Sequence, residues 1–282
     1  MAAIISSPFA ARHSQTQACI FTYHRVANIG FIDPNVDPWN VPPGVFEKQI
    51  EVLAEFAEFV HLVDLPSRLK QATPFDKPLV ALTFDDGYAN FYTEALPILK
   101  RYNAPATLFV VTNCIGESGP LKFDGWSLKN SANVPSDTCR SITWSELEAC
   151  ITSGLVHVGA HSHRHLKGRE CTDAQMIDEA EQSRALLLSH LGEKHAQLYA
   201  YPYGSTRLGF VPPAYVSAVR SAGYTIAVTS DLGLASADDD PFLLPRIEAH
   251  EVDVPGVLRA KALGVLGPYY LTDRLRRVKR AV

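Results

Sequence analysis

Two short stretches carry residue types that could do hydrolytic chemistry. Asp85-Asp86-Gly87 closes the mostly apolar run Leu79–Phe84, and His161-Ser162-His163-Arg164-His165 follows a second apolar run, 155–160. Adjacent carboxylates repel, and one of their pKa values rises. A cation removes the conflict if one carboxylate binds it and the other stays free as a base. The alternative is a helix N-cap with a second acid favoured by the helix dipole. His161 and His165 are four apart and share a face on either a helix or a strand, whereas His163 joins them only on a strand. Two imidazole nitrogens and one carboxylate, with a position left for water, make a catalytic zinc arrangement.

These residues need elements to position them. Residues 79–84 read as a strand buried on both faces, as in parallel sheets. The acidic pair therefore sits at a strand's C-terminal end, where α/β folds place their chemistry. Further strands are predicted over 18–23, 59–63, 106–112, 155–160, 197–201, 225–229 and 243–249. Helices are predicted from Pro43 onward, with Phe46, Ile50, Leu53 and Phe56 at helical spacing, and over 91–101, 143–152, 173–191 and 213–222. Thr143 and Glu146 form a capping-box signature, and Gly192 closes the long helix. Strand and helix alternate without a linker-like break. That predicts one α/β domain with a parallel sheet, barrel-like at seven or eight units, over 18–255. Residues 1–17 read as a lead-in and 256–282 as a basic tail. The irregular stretch 113–141 reads as a substrate-binding lid or a disordered surface insertion.

The chain has 282 residues, 46% hydrophobic and 20% charged, enough for a sizeable core. Its net charge of -4 gives no case for nucleic-acid binding. The five scattered cysteines, with no C-x-x-C, read as free thiols of a reducing compartment. The N-terminus lacks the pattern of a signal peptide, and no apolar run approaches the roughly 18 residues of a membrane helix. A cytoplasmic protein is expected. The tail carries Arg259, Lys261, Arg274, Arg276, Arg277, Lys279 and Arg280. It could touch acidic lipid head groups at a membrane surface, or form a solvated surface helix.

Together these motifs resemble the NodB-type polysaccharide deacetylases, carbohydrate esterase family 4. The resemblance spans roughly His24 to His250. Thr83-Phe84-Asp85-Asp86-Gly87-Tyr88 resembles the first family motif, which implies Asp85 as general base and Asp86 as metal ligand. His161-Ser162-His163-Arg164-His165 resembles the second, implying His161 and His165 as the other ligands of Zn²⁺ or another divalent transition metal. Tyr201-Pro202-Tyr203-Gly204 resembles the third, which walls the site and offers a tyrosine N–H to an oxyanion. Thr22-Tyr23-His24-Arg25-Val26 and Leu244-Pro245-Arg246-Ile247 resemble the branch associated with exopolysaccharide synthesis. The implied fold is a distorted (β/α) barrel.

Two features depart from the family pattern. The arginine that orients the base usually lies two residues before the motif proline, where this chain has Ala200; Arg246 could supply the guanidinium, or could pair with a surface acid. The general acid is a histidine near the last motif, with His250 and His24 as candidates. The implied activity is hydrolysis of acetamide groups on an N-acetylated sugar oligomer, a polymer or its lipid-linked precursor, releasing acetate. Trp126, Tyr201, Tyr203 and Phe210 could stack on sugar rings. Alternatives are another amide hydrolase on this scaffold, such as a deformylase or cyclic-amide hydrolase, and a catalytically silent carbohydrate-binding relative. Magnesium-dependent phosphoryl transfer is disfavoured by the histidines and by the lack of a phosphate-cradling motif.

Overall fold

The strand runs are mostly apolar because both of their faces are covered. The computed structural model describes residues 16–29, 39–71 and 73–265. Its strands are β1 (Gln17–Tyr23), β2 (Glu58–Phe59), β3 (Leu79–Phe84), β4 (Ala106–Val110), β5 (Val156–Ala160), β6 (Leu198–Ala200), β7 (Ile226–Leu232), β8 (Ala235–Ser236) and β9 (Leu244–Glu248). Seven of them, β1, β3, β4, β5, β6, β7 and β9, pair in parallel and close into a barrel where β9 meets β1 and β1 meets β3. The expected (β/α) barrel is thus present. β2 pairs with the start of β3, and β8 runs antiparallel to β1.

Alternation along each strand divides the core in two. Ile20, Ala81, Phe109, Ala200, Val228 and Leu244 pack together inside the barrel. Their neighbours Phe21, Leu82, Leu108, Tyr199 and Ala227 belong to the larger core cluster outside it. The outer layer holds α1 (Pro43–Phe56), α2 (Leu65–Leu69), α3 (Leu96–Arg101), α4 (Gly125–Asn130), α5 (Trp144–Thr152), α6 (Asp173–Leu191), α7 (Pro213–Ala222) and α8 (Pro255–Ala262). Phe109 fills the lumen only because Gly159 faces it. A Cβ there would come within 2.6 Å of the Phe109 ring and 2.8 Å of the Leu198 carbonyl.

Several expected elements differ in extent. The predicted strand 59–63 stops at Phe59, and a 3₁₀ turn (Leu62–Asp64) follows. Buried Leu62 and Leu65 join the lumen cluster there instead of continuing a strand edge. The predicted helix 91–101 opens as a wide π turn over Phe91–Ala95 before α3 begins. Pro97, in the first turn of α3, has no N–H to give to a preceding α turn. No helix starts at Gly87, so Asp85 and Asp86 are not helix caps.

The stretch 113–141 is ordered rather than a disordered insertion, and it brings Phe123 onto the His165 ring. It contains α4, is tied to the turn after β3 by a backbone bridge between Tyr88 and Ser141, and is closed on itself by one between Pro120 and Arg140. The fully buried Arg25 anchors it further, donating from Nε to the Thr138 carbonyl and from Nη2 to Asp124 and Ser127. The Arg25 guanidinium also lies over the rings of Tyr88 and Trp126, 4.4 and 4.6 Å from their centroids.

The basic C-terminal segment begins as α8, which buries Leu258 and Ala262 against the core. Arg259 pairs with Glu55 and Lys261 with Asp253, so these two charges are held on the barrel. Arg274, Arg276, Arg277, Lys279 and Arg280, like most of the 1–17 lead-in, lie outside the described residues. All five cysteines are free thiols. No helix among the described residues is long and apolar enough to cross a membrane.

Candidate metal centre and its surroundings

At the C-terminal ends of the strands the backbone departs from regular geometry. Asp86, Ser162, His165 and Tyr203 all have φ between 60° and 73°. Such values are costly for residues with a Cβ and gather where neighbouring structure forces them. Gly87 follows with φ +72°, and a Cβ on it would meet Val110 at 3.0 Å. The acidic turn therefore folds tightly against the end of β4 and aims Asp86 at the histidine loop.

Asp86, His161 and His165 converge, with one potential ligand atom from each lying within 4.8 Å of the others. Asp86 Oδ1 is 3.5 Å from Nε2 of both histidines. His161 Nδ1 lies 2.9 Å from the Ala200 carbonyl, an acceptor, so Nδ1 carries the proton and Nε2 presents a lone pair. Burial, chiefly, lowers the His161 pKa to about 4, so the ring is neutral. A neutral imidazole nitrogen facing a carboxylate oxygen is a meeting of two acceptors, and a cation between them resolves it. Two nitrogens and one oxygen suit zinc or a similar transition ion better than magnesium. These residues fit a divalent metal.

The histidine loop is neither strand nor helix. His163 turns away and bonds through Nδ1 to Thr112 Oγ1 at 3.0 Å, while the Ser162 hydroxyl accepts the His165 N–H at 2.9 Å. Burial pushes the Asp86 carboxyl up, but the hydrogen bond with His165, chiefly, holds it far below the usual carboxylate range.

Asp85 sits one residue earlier and faces the lumen. It is 3% exposed and held in a two-pronged pair by Arg246, with Nη1 to Oδ1 at 2.8 Å and Nη2 to Oδ2 at 2.7 Å. Arg246 is equally buried and also donates to the Thr229 carbonyl and to Thr83 Oγ1. Arg246 is thus no partner of a surface acid. Ala200 packs in the lumen, and the guanidinium arrives from β9 instead. Burial raises the Asp85 pKa, but the charge and the hydrogen bonds of Arg246 outweigh it and hold the carboxyl below its usual range.

The remaining candidates are placed unequally. His24, at the end of β1, acts electrostatically on both aspartates and packs against Trp39 at 4.7 Å. His250 follows β9, and its ring nitrogen lies 3.6 Å from Glu248, while its backbone bonds to Asp253 and Gln49. Tyr203 is 41% exposed beside His165, with ring centroids 5.1 Å apart, and Phe210 is stacked beneath it. Pro202 is buried next to it. Tyr201 is no stacking surface: it is 1% exposed, its ring packed among Tyr199 and Tyr215 outside the barrel, because strand alternation turns it away from the lumen. Trp126 lies on the Arg25 guanidinium.

The structure adds two residues that the motifs did not single out. Phe123 stacks face to face on His165, 4.0 Å between centroids, yet its segment has no periodicity that would reveal this. Glu179 is fully buried under the histidine loop. A signal for it existed, since Met176, Glu179, Ala180, Ser183 and Leu187 follow the spacing of one buried helix face.

A family model described as polysaccharide deacetylase matches residues 72–227, more than half of the chain. The chain belongs to the polysaccharide deacetylase family. It is 25% identical over 259 residues, 86% of this chain and 81% of the relative, to a poly-beta-1,6-N-acetyl-D-glucosamine N-deacetylase of Staphylococcus aureus. Its fold is shared with the Streptococcus pyogenes deacetylase PplD in complex with acetate, at TM-score 0.71 and 22% identity over 87% of this chain and 98% of that one. IcaB from Ammonifex degensii gives TM-score 0.68 at 22% identity, covering 88% and 97%. The expected polysaccharide deacetylase barrel is what this chain forms.

Proposed function

We propose that this polysaccharide deacetylase removes N-acetyl groups from an amino-sugar polymer of the poly-N-acetylglucosamine kind, or from its precursor, with the help of a divalent metal. The observation that carries the reading is the pairing of two unlike carboxylates. Asp86 shares one oxygen between two imidazoles, while Asp85 is held ionised by Arg246 at the edge of the same site. The S. aureus relative supports the substrate class.

Asp86, His161 and His165 would hold the ion, which when bound supplies Lewis acidity toward the acetyl carbonyl and an acidified water. Asp85 takes the proton from the attacking water. Arg246 fixes both of its oxygens, so the proton arrives at a carboxylate of defined orientation. The Tyr203 backbone N–H, which no described residue accepts, donates to the oxyanion that develops on the carbonyl. The two candidate acids are His24, which directly follows β1, and His250, which follows β9. One of them protonates the departing amine, so the products are acetate and a free amino sugar. Tyr203, backed by Phe210, offers an exposed ring to a neighbouring sugar.

The test measures bound zinc and acetate release from β-1,6-linked N-acetylglucosamine oligomers for wild type, Asp85→Asn and His161→Ala. Asp85→Asn is expected to keep zinc and lose roughly 100- to 10,000-fold in rate, the range of general-base catalysis. His161→Ala is expected to lose zinc. Zinc without acetate release from any such oligomer would sink the substrate and point to another amide. A wild type that takes up no metal would favour the binding-module alternative.

A further inference from the structure

The loop from His161 to His165 delivers two of the three proposed ligands, yet it belongs to no regular element. Its backbone has φ 63° at Ser162 and φ 60° at His165. Its carbonyls are fixed from one side, where Ser162 accepts from the Thr112 N–H and His163 from the Asn113 N–H. Two of its amides, those of His163 and Arg164, are fixed from the other side by a single group. Glu179 Oε2 accepts from the N–H of His163 at 3.1 Å and from that of Arg164 at 2.7 Å. Glu179 Oε1 accepts from Arg164 Nε at 2.7 Å.

Glu179 lies on α6 with 0% exposure. A buried carboxylate is expensive unless every lone pair it offers meets a donor. Here all three partners are donors, two of them consecutive backbone amides and the third a guanidinium. Only a group that accepts through both oxygens satisfies them. A glutamine of the same shape would set its own N–H₂ against one of these donors.

We propose that Glu179 is a positioning residue for the metal: its carboxylate holds the histidine loop in the left-handed turns that bring His165 and His161 to Asp86. Glu179 touches no proposed ligand side chain. It acts through the amides of His163 and Arg164, the two residues between Ser162 and His165. This inference rests on the metal reading of the site. Groups that orient metal ligands in this indirect way are worth about 10- to 100-fold in affinity.

The experiment is zinc competition between the metal-free protein and a chromophoric chelator. It compares wild type, Glu179→Gln, Glu179→Asp and Tyr224→Phe. The last variant breaks the Ser183–Tyr224 hydroxyl contact on the same helix without touching the loop. Glu179→Gln is expected to bind zinc about 10- to 100-fold more weakly, with Glu179→Asp, which keeps both acceptors, between it and wild type. Tyr224→Phe should bind like wild type even if it unfolds at a lower temperature. If Glu179→Gln does not fold, the comparison of Glu179→Asp with Tyr224→Phe decides the question in the same way. Wild-type affinity in the Glu179 variants, or an equal loss in Tyr224→Phe, would overturn the inference and leave the metal site standing. No zinc uptake by wild type would overturn both.

Discussion

The barrel has histidines at both ends, and the two groups live differently. At the C-terminal rim His161 and His165 face one oxygen of Asp86. At the opposite end, His61 stacks on His157 with centroids 4.5 Å apart, and His195 meets His157 edge-on at 5.6 Å. Among the described residues no carboxylate joins that second group as Asp86 joins the first. Burial, helped by the neighbouring histidines and Lys194, lowers the His157 pKa to about 4, and burial lowers His61 and His195 as well. The lesson is that histidines become a candidate metal centre through the carboxylate placed among them and the loop that aims them. The histidines packed on one another are held neutral by burial, and the His195 ring accepts the Val158 N–H.

The largest effect should come from making the rim resemble the other end. Asp86→Asn removes the anion, and zinc affinity is expected to fall by more than about 100-fold, beyond the range for groups that only orient ligands; chelator competition reads it. An unchanged affinity would mean that the histidines alone define the site and that the contrast is false.

Next comes Arg246→Gln, which leaves Asp85 buried without its guanidinium. Breaking a buried pair in this way costs about 3–5 kcal/mol, to be read by urea denaturation, together with a large loss of deacetylation rate. A stable but inactive variant would give the arginine to catalysis alone. A destabilised but active one would give it to the fold alone.

A smaller effect concerns acid. For His157 the folded pKa is near 4 and the unfolded value is about 6.5. The unfolded chain therefore takes up the proton first as pH falls. The stability this ring contributes is present above about pH 6.5 and is lost as pH drops toward 4. His61 and His195 shift in the same direction, and Asp64 opposes the shift at His61. Denaturation midpoints of the metal-free protein, compared between neutral and mildly acidic buffers, should fall less steeply in His157→Phe than in wild type. His161 supplies part of the slope that remains, since its pKa is lowered too. Equal slopes would show that the rings of the lower end do not control acid stability.

The smallest change is Tyr201→Phe. The Tyr201 hydroxyl is buried without a hydrogen-bond partner among the described residues. Its removal should leave activity intact and change stability by no more than about 1 kcal/mol, with a gain more natural than a loss. A fall in activity would return Tyr201 to the substrate site and extend the rim outward.

The sequence by itself determined the frame and the chemistry it can hold. Continuous apolar runs demanded strands covered on both faces, their alternation with helices demanded a parallel barrel, and the strand-end positions of Asp85, Asp86 and His161 put them on one rim. Those are local facts of hydrophobic period and chain order. Tertiary structure decided what depends on closure. Arg246 reaches Asp85 only because β9 comes round to pair with β1, and no local pattern in the sequence encodes that approach. Tyr201 and Tyr203 stand two apart in one motif, yet the strand turns one ring into the outer core while the left-handed turn lifts the other to the rim. Phe123 covers His165 because Arg25 anchors the insertion, and Glu179 disappears beneath the loop because α6 packs there. Each is a contact between distant segments, fixed by packing and by the need of buried polar groups for partners.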